Sequence, residues 1–225
     1  MIKAKKKKSF ELAFDSYLKP LLRSSFSNIF GRGIGAPADQ PVIFIANHSS
    51  WWDGLIFFYL NKKFWKHDIH MMMHESGLTR YPYFRFLGAF SINRKKPKDI
   101  LSSLSYAEQL LSAGKSVVLF PQGDEFHQES RPLTFHNGVV YLLERCPDIP
   151  VIPISLYYSF RHERKPEVWI NQKEAIFYPA IPGRSRKEKT AFLETFCTSQ
   201  LDELKGFAVA ENTEAFQELR KRRRH

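Results

Sequence analysis

In "FIANHSSWWDG", residues 44–54, an apolar run ends at His48, and Asp53 follows five positions later. A neutral imidazole can take a proton from a hydroxyl, and a neighbouring carboxylate fixes its tautomer and stabilises the imidazolium that forms. Together the two residue types make a general base. On one regular helix, residues five apart are separated by roughly 500° of rotation, about 140° out of alignment. His48 and Asp53 therefore meet only if the backbone changes state between them. The pattern predicts that change: a strand through Asn47, a turn at His48 and Ser49, and a helix from near Ser50 with Asp53 in its first turn. The residues also have a purely structural use, because Ser50 and Asp53 fit a capping box. No nucleophile accompanies the pair. Cys146 and Cys197 are distant in the chain, no G-x-S-x-G elbow exists, and Ser49 and Ser50 qualify by adjacency alone. The base is expected to activate a hydroxyl belonging to the substrate.

The elements that must position this pair read as an α/β chain with a mostly parallel central sheet flanked by helices. Apolar, β-branched runs predict buried strands at "PVIFIAN", "DIHMMM", "LGAFSIN", "SVVLF" and "VIPISLYY", with edge strands at "EVWIN" and "AIFYP". Helical spacing predicts helices at "GLIFFYL", "GVVYLLER" and residues 186–205, the last with Leu193, Phe196, Cys197, Leu201 and Leu204 on one side. In the helix "DILSSLSYAEQLLSAG", Ile100, Leu101, Leu104, Ala107 and Leu111 form an apolar face between an Asp99 cap and Gly114. Strands alternating with helices are the signature of this fold class. An amphipathic helical segment precedes it, with Phe10, Phe14, Tyr17, Leu18, Leu21 and Leu22 at helical spacing, a kink or break expected at Pro20, and a loop through Gly31, Gly33, Gly35 and Pro37. Residues 1–36 are thus expected to be a basic tail with membrane-associating helices, and residues 37–225 the α/β domain.

The charge narrows the partners. The 225 residues carry a net charge of +11, much of it in Lys3, Lys5, Lys6, Lys7 and Lys8 at one end and Arg220, Lys221, Arg222, Arg223 and Arg224 at the other. Such runs are either solvated tails or attachments to anionic lipid headgroups, where each cation adds about 1 kcal/mol. No recognised nucleic-acid module is present, so nucleic acid is not expected as a partner. No apolar run is long enough to span a bilayer, so membrane contact is expected to be peripheral. His67, His70, His74 and Glu75 lie close together but match no trusted ligand spacing, and no metal is expected. Met71, Met72 and Met73 suit either a core strand or an adaptable apolar pocket. Trp51, Trp52, Phe57, Phe58, Phe64 and Trp65 read mainly as core.

"NHSSWWD" resembles the first motif of the glycerophospholipid acyltransferase family, which includes the lysophosphatidic acid acyltransferases: His, four residues, Asp. "LGAFSINR", with Gly88 and Arg94, resembles its second block. "LFPQG", with Phe120, Pro121, Gln122 and Gly123, resembles its third, and "VIPISL", centred on Pro153, its fourth. The four blocks fall in family order between residues 44 and about 156. The resemblance implies transfer of a fatty acyl group from a thioester of coenzyme A or acyl carrier protein to a hydroxyl of a lipid-like acceptor. His48 would be the general base and Asp53 its partner, with no covalent acyl-enzyme and no resident cofactor, at the cytoplasmic face of the cell membrane. Backbone N–H groups around Gly123 would serve the oxyanion. Arg94 would bind a phosphate.

The third block departs from the pattern. Gln122 replaces its glutamate, and Asp124 and Glu125 replace the threonine and arginine that follow. In the family this block helps to hold a glycerol phosphate, which two carboxylates would repel. Arg131 would have to reach in from "DEFHQESRPLTFHNG" to compensate. An uncharged hydroxyl, such as a sugar of a glycolipid or of a glycosylated terpenoid, is the expected acceptor. The alternatives are a lysophospholipid or glycerol-phosphate acyltransferase, a thioesterase, and a non-catalytic basic protein that binds lipid or nucleic acid.

Overall fold

Apolar residues alternate across short strands to build a sheet that is covered on both faces. In this computed structural model residues 1–35 and 40–220 are described. Pro37, the expected boundary at 36/37, and Lys221, Arg222, Arg223 and Arg224 lie outside the described residues. The strands are β1 (Ile29–Arg32), β2 (Ile43–Ala46), β3 (Ile69–His74), β4 (Ala89–Ile92), β5 (Ser116–Leu119), β6 (Val151–Ser159), β7 (Glu167–Gln172) and β8 (Gln217–Glu218). Among the described residues they form one sheet in the order β4-β3-β5-β2-β6-β7-β1-β8. β4, β3, β5, β2 and β6 run parallel, β7 is antiparallel to β6, β1 is parallel to β7, and β8 is antiparallel to β1. The helices are α1 (Lys8–Ser25), α2 (Trp52–Leu60), α3 (Glu75–Arg80), α4 (Pro97–Ser112), α5 (Gly138–Arg145) and α6 (Arg186–Val209).

Because side chains alternate along a strand, each strand feeds two cores. Ile43, Ile45, Val117, Leu119 and Val151 pack against α4, α5 and α6. Phe44, Ala46, Val118, Ile152 and Ile154 pack against α1 and α2. This is the expected α/β architecture with helices on both sides of a mostly parallel sheet.

Several local expectations change. α1 is not split at Pro20: it runs unbroken from Lys8 to Ser25, with Pro20 on its exposed side, where solvent can take the carbonyl that the missing N–H leaves unpaired. The chain then leaves the helix and becomes β1, a strand the sequence did not announce. β7 is no edge strand, since it lies between β6 and β1 and is buried along its length. "AIFYP" forms no strand. Ile176 makes a single bridge to Val151, and a short 3₁₀ turn follows at Tyr178–Ala180. α4 starts one turn earlier than expected, with Lys96 at the cap position and Pro97 at the first helical position, leaving Asp99 inside the first turn. Leu101 is 58% exposed, and the buried stripe is Ser103, Leu104, Ala107, Leu110 and Leu111. Phe196 is only partly buried on α6, where Thr190 and Gln200 join the buried side.

The N-terminal lysines are not a frayed tail. Ser91 N–H donates to Ile2 O at 2.9 Å, Lys5 N–H to Arg85 O at 2.9 Å and Lys7 N–H to Phe86 O at 2.9 Å. Ile2 thus pairs with Ser91 on the outer edge of β4, and Lys5 and Lys7 are tied to the 3₁₀ turn Pro82–Leu87 that precedes it. Lys6 Nζ reaches Asp68 at 2.6 Å and Ile69 O at 2.9 Å. Leu18 and Leu22 of α1 are fully buried, and β1 pairs with β7, so residues 1–35 share the sheet and core of the residues that follow.

Candidate functional site

Parallel neighbours end on the same side of a sheet, and that geometry gathers the sequence blocks. β2, β5 and β4 deliver His48, Phe120 and Arg94 to one rim, the usual place for a ligand crevice in an α/β sheet. A cleft of about 800 Å³ opens there. Gly54, Phe58, Met71 and Phe84 line one part of it, and Ile100, Leu104, Val139 and Tyr141 another. Met71 packs with the α1–α2 core and Met72 with the α4–α6 core, so the cleft straddles the rim of the sheet. All three methionines of the run reach it. Its polar wall holds His48, Arg94, Asp124, Glu125 and His136.

His48 and Asp53 meet. Nδ1 of His48 lies 2.8 Å from Oδ2 of Asp53. The same oxygen accepts the N–H groups of Ser49 at 2.8 Å and Ser50 at 3.0 Å. Half of the expected capping box forms: Asp53 accepts the Ser50 N–H, while the Ser50 hydroxyl accepts the Trp52 N–H at 3.2 Å rather than that of Asp53, so the start of α2 holds the carboxylate that faces the imidazole. Asp53 is completely buried, and a buried carboxylate is tolerated only when its oxygens are well supplied with donors. Its other oxygen, Oδ1, accepts the Tyr158 hydroxyl at 2.6 Å. Burial, and then the Asp53 charge, pushes the Tyr158 phenol well above its ordinary 10, so it stands as a neutral donor.

The His48 backbone is held from both sides by the segment after β5. Its N–H donates to Oε1 of Gln122 at 2.8 Å, and its carbonyl accepts the Phe126 N–H at 2.9 Å. The Phe120 ring stacks on the imidazole, with centroids 4.2 Å apart and planes at 20°. With Nδ1 occupied by Asp53, Nε2 is the nitrogen left as acceptor. Glu125 Oε1 stands 3.7 Å from it.

The remaining expected residues divide. Phe120, Pro121, Gly123 and Arg94 line the cleft. Gly123 adopts a φ of +75°, where a side chain would be strained, and a Cβ there would lie 2.8 Å from an Arg94 nitrogen and push the guanidinium aside. Its N–H donates to Phe120 O at 2.9 Å and closes the turn, so this group is not held open for an oxyanion. Gln122 is buried and serves the His48 backbone rather than the cleft wall. Gly88 ends a 3₁₀ turn with φ +102°, tight against the Ile69 carbonyl, and is a backbone device. Arg94 Nη2 binds Asp124 at 2.9 Å, and Nη1 approaches His136 at 3.3 Å. Arg131 does not reach in. It binds Asp202 on α6 at 2.8 Å and the carbonyls of Gln128 and Ser130.

Tyr158 and the contact between Glu125 and His48 are the parts that sequence reasoning missed. Tyr158 sits in "VIPISLYY", where only strand character was visible. The clustered histidines separate: His67 bonds Ser116 at 2.9 Å, His74 caps α3, and His70 is buried beside Asp68. Among the described residues, no group of three or more His, Cys, Asp or Glu side chains could hold a metal ion.

Residues 33–157 match the model of a family described as Acyltransferase. A 1-acyl-sn-glycerol-3-phosphate acyltransferase of Chlamydomonas reinhardtii is 28% identical over 130 residues, 57% of this chain. The match spans 37% of the algal protein's length. The crystal structure of PlsC, the 1-acyl-sn-glycerophosphate (LPA) acyltransferase of Thermotoga maritima, superposes with a TM-score of 0.64 at 19% identity. It covers 87% of this chain and 80% of the PlsC chain, which establishes a common fold.

Proposed function

This chain belongs to the Acyltransferase family, and from that premise we propose that it moves a fatty acyl group from a thioester of coenzyme A or acyl carrier protein to a hydroxyl of a lipid-like acceptor. One observation carries the reading: His48 is held at Nδ1 by a buried carboxylate while its ring lies in the wall of an apolar cleft. Nε2 takes the acceptor's hydroxyl proton as the oxygen attacks the thioester carbonyl. Asp53 stabilises the imidazolium. The tetrahedral intermediate collapses with cleavage of the C–S bond, and the leaving thiolate recovers the proton from Nε2. The attack is direct, and the donor is a co-substrate.

Arg94 supports an uncharged acceptor, such as a glycolipid or glycosylated terpenoid. Its guanidinium is engaged by Asp124, and Glu125 adds a second carboxylate beside His48. Asp124 competes with a phosphate for that guanidinium. The carboxylates of Asp124 and Glu125, both on the cleft wall, can accept hydrogen bonds from sugar hydroxyls. The name of the algal relative favours the second reading, a lysophosphatidic acid acceptor. Peripheral attachment to an anionic membrane at the cytoplasmic face belongs to the same proposal. It is supported by the net charge of +11 and by the exposed rings of Tyr17, Trp51 and Tyr83, of which Trp51 lines the cleft. Among the described residues, no helix is long and apolar enough to cross a membrane.

The test is labelled palmitoyl-CoA, or the same acyl group on acyl carrier protein, incubated with the protein with and without a total lipid extract. Transfer predicts a labelled lipid whose mass identifies the acceptor. Label released only as free fatty acid overturns transfer in favour of hydrolysis. A labelled phosphatidic acid overturns the uncharged acceptor alone.

A further inference from the structure

β6 outlasts its neighbour. β2 ends at Ala46, whereas β6 runs on to Ser159. On its other side β6 remains paired with β7 to the end. Beyond Ala46 two side-chain amides take over the work of the missing strand. Asn47 donates to Leu156 O and accepts from Leu156 N–H, both at 2.9 Å. Two residues further on, Gln128 donates to Tyr158 O at 2.9 Å and accepts from Tyr158 N–H at 3.0 Å. Leu156 and Tyr158 thus have both backbone groups satisfied on the side that β2 has left. The second clamp comes from the acidic segment that follows the third block. It fixes the backbone that carries the phenol donating to Oδ1 of Asp53 at 2.6 Å.

We infer that Tyr158 is a positioning residue for the proposed acyl transfer, acting on His48 through Asp53, and that Gln128 holds Tyr158 in place. The inference rests on the reaction proposed above. A carboxylate can rotate about its terminal bond and offer either oxygen to the imidazole. Oδ2 accepts Nδ1 of His48 and two backbone N–H groups, and the phenol pins Oδ1, so the group has one orientation. The phenol also draws charge from the carboxylate. Less charge then faces the imidazolium, which gives up its proton to the leaving thiolate more readily. Hydrogen bonds to a charged group are about twice as strong as neutral ones, so losing this one has a kinetic effect.

The experiment compares wild type, His48→Ala, Tyr158→Phe and Gln128→Ala, using palmitoyl-CoA or palmitoyl-acyl carrier protein, whichever the wild type accepts, with the lipid extract as acceptor. Tyr158→Phe is expected to lower kcat about 10-fold, to leave both KM values within about twofold, and to move the acid limb of the pH–rate profile to higher pH. Gln128→Ala is expected to shift the limb in the same direction and to lower kcat less. A Tyr158→Phe enzyme with wild-type kcat and an unmoved acid limb overturns the inference. So does a loss that falls on KM alone. If Tyr158→Phe does not fold, as judged by thermal melting, Gln128→Ala decides by the same criterion. A wild type no more active than His48→Ala overturns the proposed reaction itself. That result is distinct from an active wild type and dead His48→Ala with a normal Tyr158→Phe, which removes only the role of Tyr158.

Discussion

Two carboxylates in the cleft region make contacts of nearly the same length in opposite surroundings. Asp53 meets His48 at 2.8 Å and is 0% exposed; Asp124 meets Arg94 at 2.9 Å and is 67% exposed. Asp53 is also held by two backbone N–H groups and a phenol. Asp124 and Arg94 hold each other at the surface, where an ion pair contributes about 0–1 kcal/mol. Asp53 is built into the start of a helix and shut away from water, as its proposed role of aiming a proton acceptor requires. Asp124 stands in solvent, where it can be displaced at low cost. Length alone says little about what a contact does; burial and the number of other donors decide it.

Four measurements would break or sharpen this contrast. The largest effect is expected for His48→Ala, which should lower acyl transfer by about 10²- to 10⁴-fold without loss of fold, measured with labelled thioester and checked by circular dichroism. Near-normal turnover in a folded His48→Ala would remove the buried pair from the chemistry. Next comes Asp53→Asn, which keeps the shape but puts an amide against four donors. Transfer should fall about 10²-fold, and chemical denaturation should show a loss of about 1–3 kcal/mol, because donors are left poorly matched in a buried place. A stable Asp53→Asn would mean that burial matters less than supposed.

His70 supplies an intermediate case, since it is buried but lacks such a set of partners. Burial first, and then the Lys6 charge, lowers its pKa from 6.5 to about 4, while Asp68 opposes the shift and Lys115 adds to it. The folded ring is depressed relative to the unfolded one, so the unfolded chain binds more protons between these values. Its contribution to stability is intact above about pH 6.5 and is lost as pH falls toward about 4. Denaturation midpoints should follow that window and flatten over it in His70→Gln. The smallest effect on stability is expected for Asp124→Ala, within about 0.5 kcal/mol of wild type by thermal melting. The same variant frees Arg94 and should raise the rate with lysophosphatidic acid relative to an uncharged acceptor. An unchanged ratio would mean that the exposed pair takes no part in selection.

Much of this arrangement could be read from residue order. β2, β5 and β6 are short apolar runs bounded by turns, and strands that alternate with helices imply parallel neighbours. The meeting of His48 and Asp53 follows because a strand passes into a helix between them. What stayed hidden depends on partners far along the chain. β1 is four residues after a run of Ser and Asn, and it is a strand because β7 lies beside it. Tyr158 is 105 positions from Asp53, and nothing local says which way its ring points. Arg131 looks like a stray cation until Asp202 on α6 claims it. The lysine run reads as a tail because charge dominates the composition, yet the backbone of Ile2, Lys5 and Lys7 does the packing. Gln122 looks like a lost acid, whereas its buried carbonyl oxygen grips the residue that begins the dyad.

The grip of Gln122, Phe126 and Tyr158 on the dyad has a temporal side. During synthesis His48 and Asp53 leave the ribosome together, but the residues that clamp the imidazole backbone follow some seventy positions later, and Tyr158 later still. A nascent chain stopped before Val151 carries His48 and Asp53 without the strand that pins Oδ1. The full set of contacts around the pair therefore exists only once the sheet has closed, and an incomplete product of translation or proteolysis lacks it.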